Sequence, residues 1–177
     1  MPNIVYIATS LDGFIARENG DLDWLMEIPN PDNNDYGFSL FMERIDGIVM
    51  GRKTLETVVS FNDWPYTKPV FVLSDSLRKA PNGYEDKVEI VNGDLAGIVE
   101  SLNEKGFETL YIDGGKTIQS FLKQDLIDEL IITKVSVILG SGISLFDKME
   151  SQIKLDLINT EILSKDLVKC TYVRKGS

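Results

Sequence analysis

The chain has 177 residues, 43% of them hydrophobic and 26% charged, and its 28 acids outnumber its 18 bases to give a net charge of −10. A field of that sign excludes a nucleic-acid binder and a binder of anionic membranes, both of which need a positive surface. There is no histidine, which excludes Ser-His-Asp and Cys-His catalysis and histidine-rich metal centres; any general acid is a carboxyl, a tyrosine, a lysine or a water.

The length suits one domain spanning residues 1–177 with a substantial core. No apolar run approaches the ~18 residues of a membrane span. The opening MPNIVYIATS enters a strand pattern with no basic region before it, so no signal peptide is expected. Cys170 has no second cysteine to pair with, which fits a reducing cytoplasm.

Residues 3–9 are almost wholly apolar, as a central strand buried on both faces requires. Residues 10–23 read as a long binding-type loop, in which Phe14 and Ile15 either fold over a ligand or plug the core. Trp24 reads as core or as a substrate shield. Residues 27–35, rich in Pro and Asn, form a connector, and a helix starts at Asn34 or Asp35 with Phe38, Phe41, Met42 and Ile45 inward. A second strand covers 47–50. Gly51 opens a helix marked by Leu55, Val58 and Val59. Strands follow at 69–73 and 87–91, and Asp94 can cap a helix with Leu95, Ile98, Val99 and Leu102 on one stripe. The run Leu110, Tyr111, Ile112 ends at Asp113; Gly114 and Gly115 follow, and then Ile118, Phe121 and Leu122 on one helical face. A long strand is expected over 130–139, then a hairpin of strands 153–163 and 167–174. The whole predicts α/β: a mixed, mainly parallel sheet of about eight strands between helical layers, closed by an antiparallel hairpin.

Two stretches share one grammar of strand, glycine, cation, threonine, helix: Gly51-Arg52-Lys53-Thr54 and Gly114-Gly115-Lys116-Thr117. A helix start offers free N–H groups and partial positive charge, a seat for phosphate, and two together suit a dinucleotide. Either glycine group also serves simply as a tight turn. With no GxGxxG present, this is not the ordinary dinucleotide fingerprint.

GIVMGRKTLE and LYIDGGKTIQSFL resemble the cofactor segments of dihydrofolate reductases. SLDGFIA and ILGSGISLF resemble more closely the reductase domain of bacterial riboflavin-biosynthesis deaminase/reductases. The resemblance covers nearly the whole chain in order. It implies a dihydrofolate reductase-like fold, NADPH as cofactor and a homodimer. It assigns Gly51, Arg52, Lys53, Thr54, Gly114, Gly115, Lys116 and Thr117 to the cofactor phosphates. It assigns Ser74, Asp75, Ser76 and Arg78 to the adenosine ribose and its 2′-phosphate, and Ala8, Ile15 and Ala16 to the nicotinamide. Asp75 could instead bond a free 2′-hydroxyl, which would favour NADH. The proton donor is Asp35, also the expected helix cap, or Asp12, also a turn-former.

These readings converge on an NADPH-dependent reductase acting on a small pterin- or pyrimidine-type heterocycle. The alternatives are a non-catalytic nucleotide- or pterin-binding protein of the same fold, and a purely structural subunit. No nucleic-acid or membrane partner and no metal site is expected.

Overall fold

The structure, a computed structural model, describes residues 1–176. In chain order the elements are β1 (Asn3–Ser10), β2 (Phe14–Ala16), α1 (Asp23–Met26), α2 (Phe38–Glu43), β3 (Gly47–Gly51), α3 (Arg52–Val59), β4 (Val70–Leu73) and β5 (Val88–Val91). Then come α4 (Leu95–Glu104), β6 (Leu110–Asp113), α5 (Gly115–Lys123), β7 (Glu129–Val135), β8 (Ile143–Ser144), β9 (Leu155–Ser164) and β10 (Leu167–Arg174).

Eight strands form one sheet in the order β5-β4-β3-β6-β1-β7-β10-β9. The first six run parallel, β10 pairs antiparallel to β7, and β9 antiparallel to β10. The parallel strands are buried on both sides, which is why they read as unbroken apolar runs. Phe41 and Met42 of α2 and Leu55 of α3 pack on Ile4, Ile48, Met50 and Val72 on one face. Ile98 and Leu102 of α4 and Ile118 and Phe121 of α5 pack on Val5, Val49 and Ile112 on the other. This is the three-layer arrangement expected.

The differences from expectation are local. The 10–23 loop contains β2, which pairs with β8. Trp24 is core, 3% exposed. The helix expected from Asn34 or Asp35 begins at Phe38, because Tyr36 and Gly37 take left-handed conformations (φ 51° and 89°) that no helix can continue through. The strand expected over 130–139 ends at Val135, where the Val137 N–H turns back to the Val135 carbonyl and the Val137 carbonyl accepts from Leu11 N–H.

Candidate active site

Because β1, β3, β4 and β6 are parallel, the segments that leave them emerge at one edge of the sheet. The 74–79 segment follows β4, Gly51 closes β3, Gly114 follows β6, and the 11–13 loop follows β1. Ligands of such sheets bind beyond this carboxyl edge.

The two glycine helix starts interlock. A Cβ at Gly114 would collide with Thr54 Oγ1, and one at Gly51 would come within 3.0 Å of Thr117 Oγ1. Each threonine therefore occupies the space of the other turn's missing side chain. Gly114 also has φ 92°, a conformation that excludes most side chains. Neither α3 nor α5 has a side-chain cap, whereas Asp94 caps α4 by accepting from Gly97 N–H at 3.0 Å. The first N–H groups of α3 and α5 thus remain open to an anion. Lys53 and Lys116 are exposed beside them, with no ion-pair partner among the described residues. A Cβ-free cradle with open donors and nearby cations fits a pyrophosphate.

Arg52 joins this cradle to the next segment: its Nη1 donates to Ser76 Oγ at 3.0 Å while Nε pairs with Glu56 at 2.6 Å. Ser74 Oγ accepts from Leu77 N–H at 3.0 Å and lies 3.3 Å from Ser76 Oγ. Asp75 and Arg78 are exposed on the same segment. Gly51, Arg52, Ser74 and Ser76 are therefore one continuous surface.

At the other end, Ile15 packs on the second turn, and a Cβ on Gly115 would lie 2.6 Å from its Cδ1. Ala16 is buried and its carbonyl fills the space beside Gly142. Ala8 belongs to the opposite face, packed with Trp24 and Tyr36.

The expected proton donors are both engaged. Asp12 Oδ1 accepts from Ser10 Oγ at 2.6 Å and Leu139 N–H at 3.1 Å, and Oδ2 from Gly140 N–H at 2.8 Å. It ties the SLDG loop to the late glycine turn, and these bonds, Ser10's first, hold it below the ordinary carboxylate range. Asp35 accepts from Gly37 N–H at 2.9 Å and Ser39 N–H at 3.0 Å, a capping arrangement. Hydrogen bonds from Ser39 and Gly37, with the Lys169 charge, hold it low as well.

A third carboxyl behaves in the opposite way. Asp113, the last residue of β6, accepts from Tyr66 OH at 3.0 Å and from Gly114 N–H at 2.8 Å. Burial pushes its carboxyl up despite these bonds. It lies at the root of the second glycine turn. Sequence reading used Asp113 only as the end of a strand; the signal that could have found it is a carboxylate standing directly before a phosphate-type turn. Two more tyrosines lie on the α2 face, Tyr111 and Tyr6. Tyr111 OH donates to the Tyr6 carbonyl at 3.1 Å, and Tyr6 OH donates to the Tyr36 carbonyl at 3.2 Å. Burial, then the charges of Asp35 and Glu161, push the Tyr6 phenol up to about 12, so it remains a donor.

The sequence model of the RibD C-terminal domain family matches residues 4–169. The chain belongs to that family. The uncharacterized protein YwjB of Bacillus subtilis (strain 168) is 37% identical over 97% of this chain and 97% of its own length. A solved structure from Shewanella sp. PV-4, provisionally named a riboflavin biosynthesis protein, is 56% identical, with a TM-score of 0.96 and coverage of 99% of each chain. Two more distant structures share the fold. The Thermotoga maritima diaminohydroxyphosphoribosylaminopyrimidine deaminase/5-amino-6-(5-phosphoribosylamino)uracil reductase is 17% identical (TM-score 0.75), matching 98% of this chain and 56% of its own. The dihydrofolate reductase of Enterococcus faecalis, complexed with NADP(H), is 17% identical (TM-score 0.63), covering 98% and 96%. Among the described residues no helix is long and apolar enough to cross a membrane.

Proposed function

We propose that this RibD C-terminal domain chain is, over its whole length, an NADPH-dependent reductase that transfers hydride to a small pterin- or pyrimidine-type heterocycle. The observation that carries the reading is the pair of uncapped, interlocked helix starts at Gly51 and Gly114, with open N–H groups aimed beyond one edge of the sheet. The bound nicotinamide supplies the hydride. The protein's own residues bind and orient. Residues 51–54 and 114–117 take the pyrophosphate; Arg52, Ser74, Ser76 and Arg78 take the 2′-phosphate; Ile15 and Ala16 border the nicotinamide from one side and Ala8 from the other. The spatial order β4, β3, β6, β1 supports this, because it sets these groups in a line as an extended dinucleotide needs.

A ring that accepts hydride also needs a proton. Asp35 and Asp12 are held as carboxylates by their hydrogen bonds. Asp113 is the carboxyl that its surroundings keep toward the protonated form, and a pyrophosphate at the adjoining turn would raise it further. The proton reaches the ring from a positioned water or through one of these carboxyls, Asp35 and Asp12 being the candidates the sequence supplies.

The reading places the enzyme in the cytoplasm as a homodimer. One edge of its sheet is β9, exposed along most of its length and carrying Leu157, Ile158 and Ile162. The deciding experiment is a titration with NADPH and then NADH, followed by quenching of Trp24 and Trp64 fluorescence. A hydride-transfer screen over pterins and aminopyrimidinones completes it. Micromolar NADPH binding, weaker NADH binding and turnover of one ring class are expected. Binding without turnover of any ring would identify the non-catalytic alternative, and absence of dinucleotide binding would refute the assignment.

A further inference from the structure

The sheet order continues past the dinucleotide edge. Beyond β1 lie β7 and β10, and their registers put Ala8, Thr133, Lys169 and Glu161 in one row, since Ala8 pairs with Thr133, Thr133 with Lys169, and Lys169 with Glu161. Directly paired residues point to the same face, here the α2 face that also carries Tyr6. If the nicotinamide lies at Ala8, the ring that receives its hydride lies over this row. The inference therefore rests on the reductase reading.

Lys169 is an unusual resident for such a row. Its side chain is only 12% exposed. Its Nζ donates to the Tyr36 carbonyl at 3.1 Å and stands 3.5 Å from Glu161 Oε1, a longer ion-pair contact to a carboxylate that is 46% exposed. An ammonium has three donors, and a desolvated cation is costly unless they are used. One hydrogen bond and a loose ion pair leave capacity for an incoming oxygen. The neighbouring Thr133 hydroxyl is partly exposed and has no hydrogen-bond partner among the described residues. Asp35 is a second nearby charge of opposite sign, and its oxygens are taken up by Gly37 and Ser39.

The geometry points to Lys169 as a specificity-determining residue: its ammonium, with the Thr133 hydroxyl beside it, receives the oxo oxygen of a pyrimidinone or pterin ring. A site with this pole selects a lactam ring over its amino-substituted counterpart, whose exocyclic NH₂ presents donors to a donor. The simpler role, holding the 30–37 loop through the Tyr36 carbonyl, predicts no such selection.

The test is equilibrium binding of two probes, 2-amino-4-oxopteridine and 2,4-diaminopteridine, with and without saturating NADP+, which has no hydride to give. Wild type is expected to prefer the oxo ring by about tenfold or more, the usual scale of a charge-assisted hydrogen bond. Lys169→Gln still has a donor for the Tyr36 carbonyl but no charge, and it should reduce the preference to within about twofold while NADP+ affinity is unchanged. Lys169→Arg should retain it. No preference in wild type, a preference for the diamino ring, or a preference that survives in Lys169→Gln would overturn the assignment. Failure of wild type to bind NADP+ would instead refute the reductase reading, and the titrations without cofactor would still decide the role of Lys169.

Discussion

Three helices of eight or more residues follow strands at the carboxyl edge of this sheet, and they begin in two different ways. The start of α4 is closed by its own sequence, with Asp94 on the Gly97 N–H. The starts of α3 and α5 have glycine where a cap would stand, and each is packed by the other's threonine. Closing a helix start with a side chain stabilises it by about 1 kcal/mol. Leaving two adjacent starts open forgoes that stabilisation, and the gain is a pair of anion seats. The contrast separates a helix built for stability from helices built to be completed by a ligand.

The sharpest way to break the contrast is Gly114→Ala. The methyl meets Thr54 and the left-handed backbone at once, so we expect a loss on the order of 3 kcal/mol in thermal or urea unfolding and no measurable NADPH binding. Arg52→Met tests the link between the cradle and the Ser76 segment. NADPH affinity should fall about tenfold with NADH affinity nearly unchanged, as read by fluorescence titration; an equal loss for both would remove Arg52 from 2′-phosphate recognition. Asp94→Ala should cost about 1 kcal/mol in unfolding and leave both cofactor affinities intact, because the capped helix takes no part in binding.

The smallest effect is in the pH dependence of stability, and it differs in sign between carboxyls. Asp12 and Asp35 have folded pKa values below their unfolded ones, so their stabilisation is present above the unfolded value and lost as pH falls through the folded one. Asp113 is raised, so its contribution is present below the unfolded value and lost as pH rises through the folded one. Asp113→Asn should therefore make the cofactor-free protein more stable at neutral pH, while Asp35→Asn weakens the acid side less than it weakens neutral pH. Unfolding midpoints measured from pH 3 to 8 check both; a neutral-pH loss of stability in Asp113→Asn would contradict the burial argument.

Much of this architecture was legible in the chain. A doubly buried strand is an unbroken apolar run, and the change to helical spacing after Gly51 and Gly114 marks both turns. Parallel strands then bring those turns to one edge. What was not legible depends on contacts between distant residues. β2 and β8 are three and two residues long, too short for any period, and exist only as each other's partner. The 130–139 run continues apolar through Leu139, but the chain leaves the ladder at Ser136, where pairing with β10 stops. Asp35 was readable as a cap, yet the left-handed Tyr36 and Gly37 that delay the helix to Phe38 were not. Asp113 needed Tyr66, and Lys169 needed Tyr36, before either environment could be seen.

The interlock of Thr54 with Gly114 and Thr117 with Gly51 also constrains how this sequence can change with time. Four positions from two distant segments share two small volumes. A lineage can enlarge Gly51 if Thr117 yields slightly or shrinks, whereas at Gly114 Thr54 must shrink or move and the left-handed backbone must be relieved as well. The accessible mutational paths are therefore ordered rather than free. In a population of descendants these four sites should vary as pairs, and a motif transplanted alone from a cousin should fail where both motifs moved together succeed.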